Sequence, residues 1–240
     1  MTIARFYLKD IAPPGERMTL EKEDHHHASR VLRLRTGQEV MLLDGRGTVC
    51  RASVVAVDPR HTYVEIKESW REEEERPRLL LYQALLKDAG MGEVLRRNVE
   101  LGIARVFPFV SHRSHAVLEE RRQEKWNRIA RGASRVAGRA YLPHVEKPLS
   151  WEDLLASLSG REKVLYADEK GGERPAVALA AAVTEEIAMV IGPEGGFTDG
   201  ERVALREVGA VPVTLGPYNL KAESAGAVLA SAIRSHLGLL

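Results

Sequence analysis

The chain has 240 residues, is 44% hydrophobic and carries a formal net charge of +1, which allows one large or two modest cores and excludes a global polyanion-binding surface. Its single cysteine, Cys50, excludes an internal disulfide framework and a cysteine-rich zinc site, and a packed, inert thiol is expected. No apolar run approaches the roughly 18 residues of a membrane span and no charged-then-apolar leader opens the chain, so a cytoplasmic protein is expected.

Residues 1–70 read as a small β-rich domain. Strands are expected at 3–8, 40–43, 48–57 and 63–66, punctuated by Asp44-Gly45 and Asp58-Pro59. Between the first two lies a short helix candidate, Asp24 to Arg35, with three adjacent histidines and with arginines at 30, 33 and 35. Consecutive helical side chains diverge, and no carboxylate-histidine spacing completes a metal site, so no metal is expected. Arg30 and Arg33, beside Arg5, form either a solvated face or a phosphate-holding patch. The charged run 68–78, ESWREEEERPR, reads as a solvated linker into a second domain, 71–240.

That second domain alternates strand and helix. Strands are expected at 79–86, 104–110, 163–167, 188–191 and 211–215, with helices at 92–101, 118–138, 175–183, 199–209 and 222–236. Proline in the first turn supports the third helix, and the T-x-x-E box Thr198/Glu201 the fourth. The βαβα order predicts an α/β domain with a parallel sheet covered on both faces. In the long helix, Arg121, Arg122 and Lys125 have glutamates as near neighbours, whereas Arg128, Arg131, Arg135 and Arg139 share a face without acids along the helix. That stripe suits either a phosphate backbone or an ion pair with another subunit. The loop Ser111 to His115 is polar enough to meet RNA or to be plain surface.

Two strands end in glycine loops, Gly192-Pro193-Glu194-Gly195-Gly196 and Gly216-Pro217. Glycine lets backbone approach a ligand where a Cβ would collide, and loops at the carboxyl ends of sheet strands are where open α/β folds bind ligands. Neither loop has a phosphate-binding spacing, so a nucleoside triphosphate or dinucleotide site is poorly supported.

The segments IGPEGGFTDGE and LGPYNLKAESA closely resemble the paired C-terminal motifs of the ribosomal RNA small subunit methyltransferase E family, within the SPOUT methyltransferases. Arg5-Phe6, His27 with Val31-Leu32-Arg33, Glu100-Leu101-Gly102, and Gly138-Arg139 with Pro143 extend the likeness over nearly the whole chain. The resemblance implies an N-terminal PUA-like RNA-binding β-barrel and a trefoil-knotted SPOUT domain. It implies methyl transfer from S-adenosylmethionine to N3 of a specific uridine in 16S rRNA, a reaction of EC class 2.1.1, with the rRNA or the small ribosomal subunit as partner. It also implies a homodimer.

On that reading the cofactor-binding candidates are Leu165, Ala167, Ile191, Gly192, Glu194, Gly195, Gly196, Leu215, Gly216 and Leu220, mostly through backbone. Glu194 serves either the cofactor's ribose or charged end, or the following helix dipole. Glu223 is the candidate general base, with Arg139 and Lys221 as charge stabilisers; each has an alternative as a cap or ion pair. Arg5, Arg30, Arg33, Arg128, Arg131 and Arg135 are the RNA-binding candidates. The chain departs from the family pattern at Leu220-Lys221-Ala222-Glu223-Ser224, which lacks one arginine and one hydroxyl, and at Arg135-Val136, which replaces a glutamate-glutamine pair. A non-catalytic RNA-binding assembly factor is the competing reading, and it predicts loss of the glycine loops.

Overall fold

The computed structural model describes residues 3–114, 122–179 and 184–240, apart from the side chain of Asp88. Its chain divides into two compact units, 1–74 with 135–142, and 75–134 with 143–240. Beyond the single division expected near residue 70, the segment 135–142 returns to the first unit. Among the described residues no helix is long and apolar enough to cross a membrane.

The first unit is built on strands β1 Ala4–Tyr7, β2 Arg17–Leu20, β3 Glu39–Leu43, β4 Thr48–Val57 and β5 Thr62–Arg71, in the order β1-β3-β4-β5-β2. Only β1 and β3 pair in parallel. The expected barrel is a curled half-barrel, because β1 and β2 remain at opposite edges of the sheet. Phe6, Leu20, Val40, Leu42, Val54, Val64 and Ile66 fill its concave core together with Cys50, which is fully buried.

Two expectations need correction here. β2 was not anticipated, since four residues with one fully buried side chain, Leu20, show no alternation; its antiparallel pairing with β5 creates it. The supposed linker is partly strand, as Glu68–Arg71 pair with Thr48–Arg51 of β4 while their side chains stay in solvent. Charge patterning detects exposure, not backbone pairing.

The helix candidate at 24–35 resolves into α1, Lys22–His26, and a π-helical turn, His27–Val31. The returning segment closes onto the sheet of the same unit. Ala140 packs with Tyr7, Leu43 and Val49, the amide of Gly47 donates to the carbonyl of Ala140 at 3.1 Å, and that of Leu142 to Gly45 at 3.0 Å.

The second unit holds a six-stranded, wholly parallel sheet. Its strands are β6 Arg78–Ala84, β7 Arg105–Phe109, β8 His144–Val145, β9 Val164–Ala167, β10 Glu186–Ile191 and β11 Val211–Val213, ordered β11-β9-β10-β6-β7-β8. Alternate side chains of β6 enter opposite cores, as period-2 geometry requires of a strand buried on both faces. Leu79 and Leu81 join Val94, Leu95, Trp126, Leu229 and Ile233 on one side; Leu80 and Tyr82 join Leu154, Leu158, Phe197 and Leu205 on the other.

Helices α2 Asp88–Glu100, α3 Arg122–Ala137, α4 Trp151–Leu158, α5 Pro175–Leu179, α6 Asp199–Glu207 and α7 Ala222–His236 complete the fold. The expected starts of α3 at 118–121 and end of α5 at 180–183 lie outside the described residues, as does His115. α4 was missed, although Ser150 caps it by accepting from the amide of Asp153 at 3.0 Å, and an S-x-x-D signal precedes its apolar face.

Candidate active site

Because the strands are parallel, the segments that follow β9, β10 and β11 emerge on one rim of the sheet. Together they enclose a cleft of about 660 Å³, whose wall is completed by the first turn of α7. A cleft of this volume suits a ligand the size of a nucleoside.

The loop after β10 takes its shape from its neighbours. Gly192 lies against the ring of Phe197, so that a Cβ there would approach it to 3.1 Å. Phe197 is fully buried, edge-on to Tyr166 at 6.0 Å. Gly196 has φ +65°, in the left-handed region that favours glycine, and Gly216 of the second loop has φ +116°. The backbones of Leu215, Tyr218, Asn219 and Leu220 make no hydrogen bond among the described residues, which leaves amides and carbonyls available on the cleft wall.

Charged side chains lock the rim. The expected capping box forms: Glu201 accepts from the amide of Thr198 at 2.7 Å, and Thr198 Oγ1 accepts from the amide of Glu201 at 3.2 Å. The other oxygen of the buried Glu201 accepts from the amide of His112 at 3.0 Å, and Arg113 Nη1 donates to the carbonyl of Gly195 at 2.6 Å. Thus the loop after β7 is tied to the glycine loop. Thr198→Ala is expected to lower stability by about 1 kcal/mol, read from the urea midpoint at unchanged slope.

Arg202 on α6 is 4% exposed and straps the other side. Its Nε donates to both oxygens of Asp168 at 3.0 Å, its Nη2 to Glu169 at 2.6 Å, and its Nη1 to the carbonyl of Phe197. Burial alone would lower the pKa of this guanidinium, yet hydrogen bonds and charge from Asp168 and Glu169 hold it above its ordinary value. The segment after β9 is therefore bonded to the loop after β10.

All the cofactor-binding candidates except Leu165 line this cleft. Leu165 lies inside β9, between β10 and β11, with its side chain in the core. Glu194 is exposed and makes no hydrogen bond among the described residues. Glu223 and Lys221 also line the cleft, and neither has an ion-pair partner among the described residues. Lys221 is the N-cap residue of α7, and Glu223 Cγ would lie 3.4 Å from a Cβ on Gly90 of α2. Sequence reasoning missed Asp168, Glu169, Thr214, Tyr218 and Asn219 on the wall; the only signal was their position just after β9 and β11.

Arg139 belongs to the first unit, where its carbonyl accepts from Tyr7 Oη. In the same unit the guanidinium of Arg5 lies against Gly138, with Cζ 2.7 Å from where a Cβ would stand, and Gly138 has φ +75°. Arg30 and Arg33 are exposed, without ion pairs among the described residues, and Arg33 adopts a positive φ of 51°. Arg135 is half-buried and bonds Asp24 at 3.0 Å, an acid that spacing along α3 did not reveal. Burial, and then the charge of Arg135, hold the neighbouring His27 below its usual pKa. Arg128 and Arg131 are exposed on α3 in the second unit.

Comparison with known proteins decides the family. The RNA methyltransferase domain matches residues 73–234, and the RNA methyltransferase PUA domain matches 20–67. A ribosomal RNA small subunit methyltransferase E from Synechocystis is 31% identical over 92% of this chain and 73% of its own length. The chain belongs to the ribosomal RNA small subunit methyltransferase E family. A second methyltransferase E, from Aquifex aeolicus, is 31% identical over 82% of this chain and 85% of its own.

Among solved structures, the methyltransferase E from Neisseria gonorrhoeae, bound to S-adenosyl methionine, superposes with a TM-score of 0.86 at 25% identity, covering 98% of each chain. A methyltransferase from Legionella pneumophila, also with bound cofactor SAM, gives 0.87 at 25% identity and the same coverage. The cleft of this methyltransferase E family member fits such a cofactor: left-handed glycines remove side chains from its wall, and unpaired loop amides and carbonyls await an adenine edge.

Proposed function

We propose that the protein methylates N3 of a uridine in 16S rRNA, using S-adenosylmethionine, and that it works in the cytoplasm as a homodimer with a knotted C-terminal domain. The observation that carries this reading is the cleft itself, a glycine-walled slot with free backbone groups and with a carboxylate and an ammonium on α7. When bound, the cofactor supplies the electrophilic methyl group.

The chain's own residues have the remaining tasks. The loops 192–196 and 215–220 would hold the adenosine part through backbone. Glu223 would accept the N3 proton, and Lys221 would stabilise the negative charge then shared with the uracil oxygens. Arg5, Arg30 and Arg33 on the first unit, and Arg128 and Arg131 on the second, would each hold rRNA phosphates, and Arg135 would steady the first unit through Asp24 rather than meet RNA itself.

Calorimetry with S-adenosylmethionine and S-adenosylhomocysteine, followed by mass mapping of 16S rRNA and of small subunits incubated with the protein, tests this reading. Binding of both ligands near micromolar affinity and a gain of one methyl on a uridine are expected. RNA binding with neither heat nor methyl gain would instead make the protein a non-catalytic assembly factor.

A further inference from the structure

Among the carboxylates that line the cleft, Glu169 has no task in the methyl transfer itself and keeps an oxygen open to a ligand. Glu169 follows β9 immediately, lines the cleft, and has a side chain 43% exposed. Its Oε1 receives Arg202 Nη2 at 2.6 Å, while Oε2 has no hydrogen-bond partner among the described residues. The neighbouring Asp168 is different: both of its oxygens are held by Arg202 Nε.

Glu169 is also fixed in place. Its carboxyl carbon lies 2.8 Å from where a Cβ on Gly196 would stand, so the glycine leaves the room that this carboxylate occupies. An acceptor held by a buried arginine and left with open lone pairs is pre-organised for a ligand's donors, and closing a ligand over it without such donors would be costly. Glu194, exposed and without a hydrogen bond among the described residues, is not oriented in this way.

Adenosine offers two kinds of donor near its base, the exocyclic amine and the ribose hydroxyls. The backbone carbonyls of the two glycine loops suit the amine. The hydroxyls, on the sugar bonded directly to the base, require an acceptor on the same stretch of wall. From this geometry we infer that Glu169 binds the ribose hydroxyls of the methyl donor, an assignment that rests on the methyltransferase reading. The methionine ammonium, several bonds further along the donor, is the alternative source of hydrogen bonds.

Calorimetry on the full chain separates the two. The probes are 5′-methylthioadenosine, which keeps the ribose and lacks the amino acid, its 2′,3′-dideoxy counterpart, and S-adenosylhomocysteine. The unmodified protein is expected to bind 5′-methylthioadenosine about tenfold more tightly than the dideoxy compound, and Glu169→Ala to bind the two alike. Glu169→Gln, which keeps the shape and one acceptor oxygen, is expected to retain part of the preference. A general loss of stability would weaken both ligands together and leave their ratio unchanged. The inference is overturned if the preference survives in Glu169→Ala, or if that variant loses affinity for S-adenosylhomocysteine alone, which would place the carboxylate at the ammonium. Failure of the unmodified protein to bind any of the three would instead bring down the methyltransferase reading, and this inference with it.

Discussion

Arg202→Met is expected to destabilise the protein by about 3–5 kcal/mol, because it strands a buried carboxylate without its counter-charge. The Asp168 side chain is 1% exposed, and both of its oxygens accept from Arg202 Nε, its only buried counter-charge among the described residues; the amide of Lys170 adds a neutral hydrogen bond at 3.1 Å. Removing the guanidinium also frees the carbonyl of Phe197 and one oxygen of Glu169. The double variant Asp168→Asn/Arg202→Met removes the charge together with its partner, so it is expected to recover most of the loss. Urea unfolding of the four proteins of this cycle gives the coupling directly. A single variant within about 0.5 kcal/mol of the parent would mean that the cluster contributes nothing to holding the rim.

The largest catalytic effect is expected at Glu223. Glu223→Gln keeps the size and a hydrogen-bonding group but cannot take a proton, so kcat should fall about 100- to 10,000-fold. Affinity for S-adenosylhomocysteine should change little, since in the proposed reading the cofactor would be held by the loops after β9, β10 and β11. The residual rate should rise with pH, as hydroxide in solution takes over removal of the N3 proton, whereas an indifferent structural role for Glu223 would leave the pH profile of the parent unchanged. Equal activity of parent and variant would transfer the proton acceptor's role elsewhere. Single-turnover measurements with saturating cofactor isolate the chemical step from product release.

Both effects originate on one rim, yet they were unequally visible in the amino-acid order. Glu223 stands in a motif whose glycine loop and Ala-rich helix are contiguous, so the reading of LGPYNLKAESA reached it directly. Arg202 stands in no motif and is one of several charged residues along α6. Its partners lie 34 and 33 positions earlier, and only the parallel pairing of β9 with β10 brings them beside it. Arg135 is the same case in the first unit, since its acid, Asp24, is 111 positions away.

What the sequence alone determined about this protein is local. Short continuous apolar runs specified the doubly buried strands, Thr198 and Glu201 specified the start of α6, and the glycines specified where backbone would be bare. These depend on steric and hydrogen-bonding preferences within a few residues, which the order of side chains carries in full. Tertiary structure alone decided that β2 exists, that the half-barrel stays open, that 135–142 return to the first unit, and that Asp168 and Glu169 face the cleft. Those outcomes rest on partners far apart in the chain. Backbone pairing and a buried arginine choose them by contact, which no window of neighbouring residues encodes.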